Sequence, residues 1–297
     1  MDPTLKNKVI SKLKSELTEY TPRMKVAAKY ILDHPGDFGL DQVRDSARKC
    51  GVSTNTFIRL AKISGFDSFE AMREPFRFAL VATPHQEETG WTRELRQSGF
   101  LGEIQAEAAK NALAIVHRSL ERQTPEQLER VVRSLLEARN VYLTAVRASY
   151  SIAHNFQYVG RMILPSLNLI PRHMNGTLDE LNFADEHDVM VAITFNPYSL
   201  ETVEACKFAK SKGVKLILIS DSDVISPEFV ADETLVVSVI STHYFCCYAG
   251  ATALVETLLA MLVRLGGDDA LRRIKSYEDL RKKNKTYWTS NKTTVFP

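Results

Sequence analysis

After residue 140 the chain repeats one pattern: a short unbroken apolar run, then a helical stretch, then another run. The runs are Val141–Val146, Leu167–Ile170, Val189–Thr194, Leu216–Ser220 and Leu235–Val239. Helical segments fit at 150–163, 199–212 and 246–265. A strand that is apolar on successive residues rather than on alternate ones must be covered on both faces. The pattern therefore predicts a doubly wound parallel sheet, an architecture that binds ligands at the carboxyl ends of its strands, beside helix N-termini.

The front of the chain reads as helices alone. Leu5, Val9, Leu13 and Leu17 make one apolar stripe. Thr21-Pro22 starts a second helix, whose face carries Met24, Ala28, Ile31 and Leu32, and Pro35-Gly36 is read as its stop. Val43 and Ala47 belong to a third helix, Phe57, Ile58, Ala61 and Ile63 to a fourth, and 68–80 to a fifth. Residues 82–102, with Pro84, Gly90, Gly99 and Gly102, read as an irregular connection before a long helix over 104–121. Thr124-Pro125-Glu126-Gln127 is a capped helix start.

A length of 297 residues suggests about two domains. The expected division is a helical domain at 1–80, a linker and connecting helix at 81–124, an α/β domain at 125–266 and a basic tail at 267–297. Charge follows that division. Net charge is only +2 for the whole chain, yet residues 1–78 hold 14 basic against 10 acidic side chains and residues 267–297 hold 8 against 4, so the middle is acidic. A basic module can thus sit inside a nearly neutral chain.

Within the front, 43–59 has the spacing of a helix-turn-helix. Ala47 permits close packing, Gly51 suits a turn that needs positive φ, and Ser53 is a good N-cap for the helix that follows. Ser53, Thr54, Asn55 and Thr56 then lie at the start of the second helix, where a recognition helix meets base edges. Arg44, Arg48, Lys49, Arg59 and Lys62 are candidate phosphate contacts. The plainer alternative is a helical hairpin with solvated charges. Thr21-Pro22 through Lys29-Tyr30-Ile31-Leu32, with Gly51-Val52-Ser53, Arg59, Gly65-Phe66 and Phe69, resembles the N-terminal domain of RpiR/MurR-type bacterial transcriptional regulators. That resemblance implies operator DNA as a partner and assigns Ser53–Thr56 to recognition and Arg59 to a phosphate.

The second half resembles the sugar isomerase (SIS) domain those regulators carry. Four stretches hold the likeness: Thr144–Ser149, Ile193–Glu201, Ala209–Gly213 and Ser220–Pro227 with Ala231-Asp232. A strand-to-helix turn offers hydroxyls, backbone N–H groups and a helix dipole to an anion. The resemblance implies a sugar phosphate or related anionic effector, with Arg147, Ser149, Asn196, Tyr198, Ser199 and Ser222 as candidate contacts. The chain departs from the family at this site. Ala145 and Arg147 stand where the first turn has glycines, Asn196-Pro197 replaces Ser-Gly, and Pro197 removes a backbone donor. Ser149 and Ser199 would suit helix caps equally well.

Catalysis has weaker grounds. Glu180, His173, His154, Glu201 and His243 are the candidate bases, and none has a spacing that fixes a role. The seven histidines show no paired spacing, so no metal or cofactor is expected. Cys50, Cys206, Cys246 and Cys247 form no Cys-x-x-Cys pair, and the N-terminus has no apolar signal region. The apolar segment 249–265 is shorter than a membrane span and carries Glu256. These features predict a cytoplasmic protein with no membrane partner, and the resemblance implies a bacterial one. In the tail, Leu271, Ile274 and Tyr277 have helical spacing, Arg281–Lys285 is a basic run, and Tyr287-Trp288 is a candidate to dock on the core.

The reading expected is a non-enzymatic, DNA-binding regulator, assembled as a homodimer or homotetramer because paired helix-turn-helix units need fixed spacing. Two rivals stand beside it: an SIS sugar-phosphate isomerase with a helical oligomerisation domain, and a sugar sensor whose front binds another protein.

Overall fold

In the computed structural model the described residues are 5–81, 90–172, 175–239, 241–243 and 245–288. The front holds α1 (Leu5–Ser15), α2 (Pro22–Asp33), α3 (Pro35–Leu40), α4 (Val43–Lys49), α5 (Thr54–Ile63) and α6 (Phe69–Val81). The expected stripe packs as read: Val9, Leu13 and Leu17 are buried together with Met24, Ala28, Ile31 and Leu32. Phe38, Phe57, Phe69 and Phe76 close this core in edge-to-face pairs and one stacked pair. Two expectations change. Pro35-Gly36 does not end helical structure; Pro35 opens α3, since a first-turn proline has no N–H partner to lose. Ile58 and Ile63 are exposed, and the buried face of α5 is Thr56, Phe57, Leu60 and Ala61.

Next come α7 (Gly90–Gln97) and α8 (Phe100–Glu121). The connection expected over 82–102 is therefore helical from residue 90, and the long helix starts before 104. Both glycines within this helical pair are tolerated: Gly90 has open space around it, and Gly102 lies hard against the Leu95 carbonyl, where α7 meets α8. A helix α9 (Pro125–Glu137) follows, with Thr124 as N-cap: its hydroxyl oxygen accepts the Gln127 backbone N–H at 3.2 Å.

The sheet is built from β1 (Val141–Thr144), β2 (Leu167–Ile170), β3 (Val189–Ile193), β4 (Lys215–Ser220) and β5 (Glu233–Val236), interleaved with α10 (Tyr150–Gly160), α11 (Thr177–Glu180) and α12 (Leu200–Ser211). All neighbours are parallel in the order β2-β1-β3-β4-β5. The order reverses after β2, the signature of double winding. α13 (Ala249–Leu265) and α14 (Gly267–Lys283) complete the fold. One apolar core, under α9, α10 and α13, lies on one face of the sheet, and a second, under α12, lies on the other. β3 is buried at every residue, which is why it reads as an unbroken apolar run. α8 packs on α13, where Gly250 allows close approach: a Cβ there would sit 2.1 Å from the Ser119 hydroxyl.

At the N-terminal edge of the sheet, Asp188 is fully buried and accepts hydrogen bonds from Asn140 N, Asn140 Nδ2, Asp185 N and Arg139 Nε. Burial works against its charge, but Arg139 and the amide donors prevail and hold the carboxyl below the usual aspartate range. Trp288 does not dock on the core; it is 89% exposed. Only Tyr287 finds a neighbour, the Arg281 guanidinium, 5.6 Å from its ring centre. No single helix among the described residues is long and apolar enough to cross a membrane.

Candidate functional site

The front motif has the geometry its spacing requires. Gly51 takes φ +68° with nothing within 4 Å of a would-be Cβ, so conformation rather than space selects glycine. The Val52 N–H donates to the Ala47 carbonyl at 3.0 Å and closes the turn between α4 and α5. Asn55, Arg59 and Lys62 are exposed on one face of α5, and Ser53 and Arg44 are exposed beside it. Thr54 is half-buried. Thr56 is buried and shares a hydrogen bond with Ser53 at 3.0 Å, so its hydroxyl serves the turn. Lys49 is held by Asp37 and Asp41 at 3.0 and 2.9 Å, and Arg48 by Asp45 at 2.7 Å.

The second set of residues gathers at the carboxyl ends of β1, β3 and β4. β1 leads into a 3-10 turn, Arg147–Ser149, before α10. Arg147 keeps φ at +57°, the left-handed conformation that glycine adopts freely and that costs another residue about 1 kcal/mol. Its guanidinium reaches Glu201 at 3.8 Å, and the Ser199 hydroxyl donates to the same carboxylate at 2.7 Å. Ser149 is buried. Neither Ser149 nor Ser199 makes a side-chain cap bond, so neither hydroxyl is spent on capping α10 or α12.

Asp221, just past β4, organises the neighbouring loop. It accepts the Asn196 backbone N–H at 3.2 Å and the Ser220 hydroxyl at 3.3 Å. Burial pushes its carboxyl up, and nearby Asp33 adds to the effect. The Ser222 hydroxyl forms a local turn with Val224. Tyr198 lies half-buried between the halves of the molecule. Its hydroxyl donates to Asp33 of α2 at 3.5 Å, and the Lys29 ammonium sits 4.7 Å from its ring centre. Burial, then the carboxylates Asp221 and Asp33, raise the phenol well above its usual range, so it stays a donor.

These contacts were invisible to motif reading. Lys29 also donates to Asp33 at 2.7 Å and to the Val224 carbonyl at 2.8 Å, and Lys14 of α1 pairs with Asp223. The front domain thus rests on the loops that follow β3 and β4. Lys29, Asp33 and Asp221 carry no spacing signal, because their roles arise only when α2 meets those loops.

The candidate bases do not converge. The Glu180 carboxylate is held by Arg172 at 2.6 Å and by the Arg172 backbone N–H at 3.1 Å, and that guanidinium keeps it below the usual glutamate range. His154 lies between Tyr150 and Tyr158 on α10, tilted against the first ring and stacked on the second. His243 accepts the Phe245 N–H through Nδ1 at 3.2 Å. Glu201 alone lies among the strand-end residues. His173 lies outside the described residues.

A parallel sheet in this order, wound on both faces and with hydroxyls at its strand ends, defines a class. The SIS domain family model matches residues 134–263. The chain is 26% identical over 228 residues to YbbH of Bacillus subtilis (strain 168), an uncharacterized HTH-type transcriptional regulator, covering 76% of this chain and 77% of that one. Among solved structures, the sugar isomerase domain of the RpiR transcription factor from Sphaerobacter thermophilus is similar with a TM-score of 0.56 at 20% identity, covering 60% of this chain and 99% of its own. The NanR protein of Vibrio vulnificus complexed with ManNAc-6P matches with a TM-score of 0.56 at 17% identity, covering 93% of this chain and 98% of its own. The last likeness extends the shared fold through the helical front.

Proposed function

We propose that the chain is a cytoplasmic, DNA-binding transcriptional regulator whose SIS domain senses a phosphorylated sugar. One observation carries the reading: Tyr198, in the loop at the β3 end, touches Lys29 and Asp33 of the helical domain. An effector seated at Arg147, Ser149 and Ser199 adjoins a loop that bears directly on the DNA-binding domain. It alters DNA affinity only through unequal affinity for the two domain arrangements. The exposed row Asn55, Arg59 and Lys62 is the surface offered to the major groove. Arg44 and Arg48 face phosphates, while Lys49 and Thr56 hold the motif together. The chain acts as a homo-oligomer; the exposed Phe100 and Leu101 at the start of α8 support an apolar contact between copies.

The isomerase reading needs a base beside the sugar, and Glu201 is the one candidate near Ser199. The experiment that separates the readings is binding of DNA from upstream of the chain's own gene, followed across salt and with a panel of sugar phosphates. Arg59→Ala should weaken binding and reduce the salt slope by about one charge. Ser149→Ala should keep DNA binding and lose the response to the effector. DNA binding untouched by Arg59→Ala, or turnover of a sugar phosphate that Glu201→Gln abolishes, overturns the proposal.

A further inference from the structure

Between the front domain and the sheet lies a cavity of about 390 Å³, separate from the Arg147–Ser199 turn region. Its walls are α1, the joint between α2 and α3, the joint between α8 and α9, the chain just beyond β4, and β5 with the chain that follows it. Six charged side chains line it: Lys6, Lys14, Arg122, Asp33, Asp221 and Asp223. Equal numbers of each sign suggest balance, but the pairing says otherwise. Asp223 is taken by Lys14 and Asp33 by Lys29. Asp221 is bonded to Asn196 N and the Ser220 hydroxyl, and its burial favours the neutral acid. Lys6 and Arg122 are left with no ion-pair or hydrogen-bond partner among the described residues.

These cations also face one another. Burial lowers the Lys6 ammonium, and Arg122 and Arg118 lower it further. Burial and Arg122 push Lys14 down to about 8. Burial and Arg118 lower Arg122 as well. Gathering like charges around one cavity is unfavourable unless a counter-charge joins them. The size falls within the range of small-molecule sites.

We propose that this interdomain cavity binds a small phosphate ester, its phosphate held by Lys6, Lys14 and Arg122. A phosphate monoester carries between one and two negative charges at neutral pH and offers three strong acceptor oxygens. Two ammoniums and a planar guanidinium match that charge and geometry. The remaining volume takes the organic part of the ester, against Thr234 and Ser238. Because α1 supplies two of the cations and the α8–α9 joint the third, the ligand bridges the two domains and favours the docked arrangement. This is a second anion site, and it stands whether or not the strand-end turn binds a sugar phosphate.

The test is thermal unfolding of the full chain with rising inorganic phosphate, sodium chloride holding the ionic strength constant. Phosphate should raise the Tm of the wild type. The double variant Lys6→Gln/Arg122→Gln should lose that component of the rise. In the absence of phosphate it should be at least as stable as the wild type, because it relieves the repulsion; a residue with a purely structural role would be missed. Lys6→Gln alone, changed on a half-buried face of α1, should weaken apparent phosphate affinity at least tenfold, which phosphorus NMR line broadening reads independently of Tm. Ser149→Ala should retain this component. Three results overturn the proposal: no response in the wild type, an undiminished response in Lys6→Gln and the double variant, or a response that Ser149→Ala abolishes and the double variant keeps. The last leaves the strand-end sugar-phosphate site standing.

Discussion

Asp188 shows how one side chain can matter to the fold while lying far from the candidate site. It lies at the N-terminal edge of the sheet, opposite the strand-end site, and joins Asn140, Asp185 and Arg139 around one carboxylate. Removing it leaves several part-buried donors without their acceptor at once, so Asp188→Ala should lower stability by roughly 2–4 kcal/mol in urea titration. Its folded-state acidity is stronger than that of an unfolded aspartate. The stability it contributes is therefore full above the ordinary aspartate range and is lost as the pH falls through and below it. Acid titration of wild type against Asp188→Asn should show that part of the loss in the wild type only. Arg147 is the complementary case, a residue held in a costly conformation beside Glu201 at the carboxyl ends of the strands. The substitution of glycine was legible in the sequence, but the retained left-handed backbone was not, since only the fold dictates φ at that point.

Elements differ in how plainly the chain announces them. The strands were readable because burial on both faces leaves no polar alternation to confuse the pattern, and β2 matches its expected run of Leu167–Ile170. α3 was missed because a Pro-Gly pair that stops one helix also starts the next. α7 was missed because its helix opens at a glycine and makes its contacts through α8 rather than through a stripe of its own. Two other glycines separate two kinds of local constraint. At Gly51 the constraint is conformational, with φ +68° and free space. Gly51→Ala should cost about 1 kcal/mol. At Gly250 the constraint is steric, because Ser119 and Ile115 are buried and have no room to yield. Gly250→Ala should cost roughly 2–4 kcal/mol and detach α8 from α13. Chemical denaturation of the two variants side by side checks the order; equal losses would mean that α8 is not seated as described.

At the scale of the molecule, the helical front and the sheet domain meet through a thin and mostly polar contact. Val224 is the apolar bridge, packing against the helical core from the sheet domain. Around it stand the Lys14–Asp223 pair, the Lys29–Val224 hydrogen bond and the Tyr198–Asp33 contact. Contacts of this kind permit domains to separate. Lys29 serves three partners across or beside the seam, so Lys29→Ala should weaken docking by about 1–3 kcal/mol while leaving both cores folded. Small-angle scattering should record a larger radius of gyration at unchanged helical content; an unchanged radius would remove Lys29 from the seam. Pocket and seam residues such as Arg122, Lys6 and Asp33 come from distant parts of the chain, so no local pattern marks them.

The tight seat of α8 on α13 bears on where the molecule can be cut. The SIS family match begins at residue 134, yet Ser119 of α8 fills the space over Gly250 and its hydroxyl accepts the Ser238 N–H just past β5. A fragment trimmed to the family boundary would leave an apolar trench along α13 open to water and a backbone donor without its acceptor. A fragment that starts before Gly99 keeps the trench closed, so the smallest piece of this chain that folds alone is longer than the stretch the family model matches.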